Sequence, residues 1–176
     1  MILRNINNRF EFGEDAFERI EDDAPVPATG AVLVSAARWL GEHDILAKRK
    51  EPVGVWIEGD GDLEGLGEKC AQLELIVLRF PVFKDGRAYS QARLLRERYG
   101  FKGELRATGN ILRDQLAFME RCGFNAFELD ERIDLSQFNE ALAEISVYYQ
   151  PTGDGRMPVY QLRTTQASPG QARAAA

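Results

Sequence analysis

Between residues 53 and 145 two kinds of apolar pattern alternate along the chain. Short, nearly continuous apolar runs suit strands covered on both faces, and stretches with apolar residues every three or four positions suit helices lying on a core. Residues 53–58 form the first run, and Leu63, Leu66, Cys70 and Leu73 then repeat at helical spacing. Residues 73–80 form the second, stopped by Pro81, before a stripe of Ala88, Ala92, Leu95 and Tyr99 that ends at Gly100. Residues 104–107 are the third strand, and Leu112, Leu116 and Met119 share a helix face before Gly123. Residues 125–129 are the fourth. Asp134, with Gln137 reaching back to it, caps a last helix that buries Leu135, Phe138, Leu142 and Ile145. The phasing repeats at a larger scale, because Arg98-Tyr99-Gly100-Phe101 returns as Arg121-Cys122-Gly123-Phe124, each leading into Glu-Leu.

About four consecutive βα units predict an α/β fold in which right-handed crossovers build a parallel or mostly parallel sheet. An open three-layer sheet and a half-barrel satisfy the pattern equally. The flanks are less regular. Residues 1–52 read as a mixed cap, with short strands at Phe10-Glu11-Phe12 and Ala31-Val32-Leu33-Val34 separated by Pro25-Val26-Pro27, and a helix over 35–46 that places Ala36, Trp39 and Leu40 on one face. Residues 146–163 form a C-terminal extension and 164–176, small and polar, a flexible tail. At 176 residues the chain is long enough for one core and too short for two full-sized ones, so 1–163 is expected to be a single domain.

Composition removes several function classes. No stretch is long and apolar enough to cross a bilayer, and the first residues lack the apolar core of a secretory signal, so a cytoplasmic protein with no membrane partner is expected. A net charge of −6 gives no nucleic-acid footprint. The charge is uneven, however. Residues 11–24 are acidic, whereas Lys84, Arg87, Arg93, Arg96, Arg98, Lys102 and Arg106 make 84–106 basic, either as a solvated helix face or as a surface for a small anion or an acidic partner. Cys70 and Cys122 form no CxxC pair and fall within the amphipathic patterns. His43, the one histidine, leaves too few ligands for the common zinc sites and weakens any Ser-His-Asp scheme, so no metal site is expected.

Ligands of such folds bind beyond the carboxyl ends of the strands, where helix N-termini offer free amides. The loops there carry Glu58, Asp60 and Asp62; Lys84, Asp85, Gly86 and Arg87; Thr108, Gly109, Asn110, Arg113 and Asp114; and Asp130 and Arg132. Asp85, Arg87, Arg106, Asn110, Arg113 and Gln115 are the candidate substrate- or anion-binding set. Arg87 and Arg106 would fork onto an oxyanion, Asn110 would orient it, and Asp85 would position an arginine. The competing reading makes Asp85-Gly86-Arg87 a turn, Asn110 a helix cap and the arginines surface charges. Two motifs are set aside. Gly59-Asp60-Gly61-Asp62-Leu63-Glu64 imitates a dinucleotide fingerprint but has Glu64 at the third glycine and surrounds it with acids, and the acidic run 11–24 lacks the spacing of a calcium loop.

The block Phe80-Pro81-Val82-Phe83-Lys84-Asp85-Gly86-Arg87-Ala88-Tyr89-Ser90-Gln91-Ala92-Arg93-Leu94-Leu95-Arg96-Glu97-Arg98, followed by Gly103-Glu104-Leu105-Arg106-Ala107, Leu112-Arg113-Asp114-Gln115 and Arg121-Cys122-Gly123-Phe124, resembles the bacterial domain-of-unknown-function family 934 over about residues 30–150. The family pattern has Asp where this chain has Asn110. Its members are labelled oxidoreductases of sulfite reduction. The resemblance therefore implies a place in assimilatory sulfate and sulfite reduction, beside the sulfite reductase hemoprotein, with a small oxyanion as possible ligand. Two roles follow: an accessory or binding protein, or a small oxidoreductase working with a borrowed flavin or nicotinamide. With two cysteines and no nicotinamide fingerprint, the residues favour no intrinsic cofactor and the accessory role, while leaving flavin or nicotinamide binding open.

Overall fold

β-Branched and aliphatic runs make the central strands, and Ser35, Asp62, Gly86 and Asp134 each start a helix after one of them. The structure, a computed structural model, describes residues 2–7, 9–82, 84–129 and 133–166. Four strands come first: β1 (Ile2–Ile6), β2 (Arg9–Gly13), β3 (Phe17–Arg19) and β4 (Ala31–Ser35). Ser35 closes β4 and its hydroxyl accepts the amide of Arg38, so the same residue starts α1 (Ala36–Gly41), which α2 (His43–Leu46) follows. β5 (Val53–Ile57) leads to α3 (Leu63–Glu68), capped by Asp62, and β6 (Leu75–Phe80) leads to α4 (Arg87–Glu97). β7 (Glu104–Gly109), α5 (Leu116–Arg121), β8 (Ala126–Phe127), α6 (Leu135–Ala143) and α7 (Val159–Gln166) complete the order. The capping box of Asp134 and Gln137 at α6 forms as its spacing predicts.

The eight strands make one sheet in the order β2-β1-β8-β7-β6-β5-β4-β3. From β3 to β8 every neighbour is the next strand in the chain and every pair is parallel; β1 runs antiparallel to β8 and to β2. The sheet is thus mostly parallel but mixed, and it curls as a half-barrel. The helices pack on one face, where Trp39, Leu66, Ala92, Leu95, Met119 and Phe138 join Val34, Val55, Leu78, Leu105 and Phe127 in the main core. Leu33, Leu75 and Val77, with Phe17 and Trp56, form a second, smaller core on the opposite face, to which no helix among the described residues contributes. The open three-layer alternative is therefore replaced by the half-barrel, because crossovers of one hand between successive strands place their helices on one side only. No helix among the described residues is long and apolar enough to cross a membrane.

Several expectations change in detail. The four strands of the N-terminal region form both edges of the sheet, and β4 with α1 and α2 precedes the four units. The helix over 63–73 breaks at Lys69 and finishes as a 3₁₀ turn, Cys70–Gln72. Asn110 caps no helix. Its amide donates to Phe80 O at 2.8 Å, and Leu112 instead precedes a 3₁₀ turn, Arg113–Gln115, that enters α5. Leu112 consequently stays outside the core, as does Ile145, which lies beyond the end of α6. α7 runs to Gln166, past the point where a tail was expected to begin, while Asp130, Arg132 and residues 167–176 lie outside the described residues.

The two edge strands β2 and β3 are consecutive in the chain. From Gly13 to Phe17 the backbone reaches at most about 14 Å, so the connection itself draws the edges of the sheet together. On the helix-free face this strap is fastened by ions. The Arg106 guanidinium, 2% exposed, donates from Nη1 and Nη2 to the Asp15 carboxylate at 2.6 and 3.1 Å and from Nε to Glu104 at 2.8 Å. Arg4 donates to Glu104 at 2.7 Å and to Glu14 O at 2.9 Å, and lies 3.5 Å from Asp15. Burial alone would push the Asp15 carboxyl up, but the Arg106 hydrogen bond and charge, the Phe17 amide and Arg4 bring it below its ordinary value.

Replacing Arg106 by alanine strands two partly buried carboxylates, so Arg106→Ala should cost about 3–5 kcal/mol in denaturant unfolding. With its folded pKa depressed, Asp15 contributes stability that is complete above its unfolded value near 3.8 and is lost as pH falls through the lower folded value. Wild-type stability should therefore drop across that acid window, and Asp15→Asn should flatten the drop; equal acid sensitivity in both proteins would refute the assignment.

Candidate functional site

At the carboxyl ends of β5 and β6 two loops lock together. Asp85 takes the Arg87 amide at 3.2 Å and, side chain to side chain, Nε at 2.9 Å and Nη2 at 2.7 Å, which holds its carboxyl down to about 2. The Arg87 guanidinium lies against Gly59, where an added Cβ would come within 2.5 Å of Cζ, and Gln91 Nε2 donates to Gly59 O at 3.4 Å. Beside these loops, on the helix-free side, a polar row crosses four strands. Arg79 donates to Glu58 at 2.8 Å, Arg79 is in register with Thr108, and the Thr108 hydroxyl donates to Glu128 at 2.6 Å. Below it Arg19 lies over the Trp56 ring at 4.5 Å.

Of the six candidates, Asp85 and Arg87 are brought together as a mutually satisfied pair. Arg106 is elsewhere, inside the helix-free face and saturated by Asp15 and Glu104. Arg113 points to α6 and pairs with Glu144 at 3.2 Å, Gln115 accepts the Leu112 amide at 3.1 Å as a helix-entry cap, and Asn110 is exposed in the loop after β7. No oxyanion fork of Arg87 with Arg106 is assembled. The basic stretch 84–106 disperses in the same way. Arg93 pairs with Glu97, Arg98 lies 3.8 Å from Glu64 and against the Tyr99 ring, and Arg96 binds backbone carbonyls. Arg93 and Arg98 belong to helix-surface pairs, and the stretch does not form one positive face.

The C-terminal extension carries the feature that sequence reasoning missed. The Arg121 side chain, buried at the end of α5, donates to Asp154 at 2.8 Å and to Gln150 O at 2.8 Å and stacks on Tyr148 with Cζ 3.7 Å from the ring centre. Arg156 binds Glu120, and the Val159 amide closes the loop on Tyr148 O. Held by these anchors, Ile145, Val147, Tyr149, Met157 and Tyr160 are all about half exposed or more, Tyr149 at 76%, and the Tyr149 and Tyr160 rings meet at 6.5 Å. The available signal was composition: between Ile145 and Leu162 the charged residues are Asp154 and Arg156.

Residues able to carry redox or metal chemistry are placed unfavourably. Cys70 and Cys122 are buried free thiols. Burial pushes the Cys70 thiol up and, against the pull of Arg93 and Arg121, pushes Cys122 to about 11. His43 packs edge-on against Trp39, and among the described residues no three of His, Cys, Asp and Glu gather to hold a metal ion.

Residues 54–160 match the sequence model of a family described as "Bacterial protein of unknown function (DUF934)". No curated protein and no solved structure matches the chain.

Both thiols should resist a disulfide reagent such as DTNB in the native protein at pH 8 and react at once in guanidinium. Stoichiometric modification of either in the native state would show a thiolate that the burial argument denies.

Proposed function

The chain belongs to the bacterial DUF934 family, and on that premise we propose that it is an accessory binding protein of sulfite reduction that docks, in the cytoplasm, on the sulfite reductase hemoprotein. The observation that supports this reading is the apolar surface of residues 145–160. Exposed tyrosine and methionine concentrated on one anchored segment is the composition of an interface core, in which large rings contribute contact area at little entropic cost. The partner comes from the resemblance of residues 80–124, which implies a place beside that reductase. The alternative, a small oxidoreductase with a borrowed cofactor, has less to support it. Burial pushes both thiols up, away from the reactive thiolate, and Asp85 and Arg87 already satisfy each other.

The reading is tested by mixing the purified chain with the hemoprotein and measuring complex formation by light scattering and calorimetry. A defined complex is expected, and the double substitution Tyr149→Asp, Tyr160→Asp should weaken it at least about tenfold while leaving the melting temperature of the free chain unchanged. Absence of any complex at micromolar concentrations, or substrate-dependent oxidation of a nicotinamide or flavin by the chain alone, would overturn the accessory role.

A further inference from the structure

At the amino edge of the sheet, opposite the expected ligand face, lies a cavity of about 480 Å³. Its walls come from the end of α4 (Arg96, Glu97), the segment entering β7 (Phe101, Lys102), the end of α5 (Arg121, Cys122, Gly123) and the C-terminal extension (Gly153, Asp154). The charges around it are unequally matched. Glu97 is paired with Arg93, Glu120 with Arg156, and Asp154 with Arg121 and Arg156. Neither Arg96 nor Lys102 has a carboxylate partner among the described residues.

Arg96 is a partly buried cation with a defined unused side. Nε donates to Gly123 O at 2.9 Å, and Nη1 donates to Phe101 O at 2.7 Å and Gly103 O at 3.0 Å. Those bonds staple together the two helix-Gly-Phe turns that repeat in the sequence, and they account for the orientation of the guanidinium. They do not account for its charge, because carbonyls carry only partial charge, and burial lowers the Arg96 pKa to about 10. The guanidinium lies over the Phe101 ring with Cζ 5.3 Å from its centre, and Nη2 makes no hydrogen bond among the described residues. Lys102, exposed at the rim of the same cavity, adds a second full charge.

We propose that this cavity is a binding site for a small inorganic oxyanion, of the sulfite, sulfate or phosphate class, held by Arg96 Nη2 and Lys102 Nζ. An anion there supplies the counter-charge that Arg96 lacks and is clamped between the core and the C-terminal extension, which forms one wall through Gly153 and Asp154. An anion here is inferred from Arg96 and Lys102 and not from the docking reading or the partner named for it.

The test is titration of ¹⁵N-labelled full-length chain with sodium sulfite, sulfate and phosphate at constant ionic strength, against a chloride control. Saturable shifts are expected at the amides of Gly103, Gly123 and Gly153, and the three anions rank which source is preferred. Lys102→Glu, a change at an exposed position, should leave the anion-free melting temperature in place and weaken affinity at least about fivefold. Arg96→Lys, which keeps the charge but loses the fork, should weaken it as well. Shifts clustered at Gly59 and Gly109 instead, affinity unchanged in Lys102→Glu, or no saturable response to any of the three anions would overturn the proposal.

Discussion

A sheet wound with crossovers of one hand between consecutive strands is covered by helices on one face only, and the other face has to be hidden from water by some other means. In this chain it is hidden by curvature and by a strap of its own N-terminal residues. Leu33, Leu75, Val77 and Trp56 would otherwise be a bare apolar stripe. The short connection between β2 and β3 crosses at the gap between the sheet's edges, and Asp15 on it reaches Arg106 at the middle of β7. The pairing is balanced, with Arg4 and Arg106 against Asp15 and Glu104. Such a network contributes less to net stability than apolar packing of the same volume, but it selects one position for the strap, since any slip leaves a charge unpaired.

The parallel core could be read in the sequence because its signals are local. Continuous apolar runs, glycines after Tyr99 and Cys122, and the Asp134–Gln137 box each specify a strand, a stop or a start without reference to distant residues, and Gly100 and Gly123 do adopt positive φ. The edges could not be read in the same way. Pairing of β3 with β4, or of β1 with β8, is a long-range property, and the acidic run 11–24 looks solvated until Arg106 is placed beneath Asp15. The curl was equally hidden, because period-two alternation in β7 (Glu104, Arg106 and Thr108 on one face, Leu105 and Ala107 on the other) says which residues share a face but not what covers it.

The same limitation explains the candidate site. Arginines near strand ends suggest anion binding while their partners are unknown, and here three of them have carboxylate partners. Asp85 occupies the fork of Arg87, Glu144 takes Arg113, and Asp15 with Glu104 saturates Arg106. Gly109 shows how tightly the loops at that end are set. With φ of +96° and room for a Cβ only 2.4 Å from Phe80 O, it holds the turn after β7 against β6, leaving Asn110 to bond the backbone instead of capping a helix.

Arg96 is among the arginines with no carboxylate partner among the described residues, and its position follows from the internal repeat. Two helix-Gly-Phe turns in adjacent units end with their carbonyls facing one another, a concentration of negative partial charge at which a cation is favoured. One guanidinium serves both turns through Nε and Nη1. The C-terminal extension then closes over the neighbouring space through Arg121, whose stack on Tyr148 and bond to Asp154 hold residues 148–156 against the end of α5. A structural staple and a cavity with surplus positive charge are thus products of the same repeat. Because Asp154 anchors the extension and lines that cavity, whatever occupies the cavity bears directly on the segment that presents Tyr149 and Tyr160 to the surface.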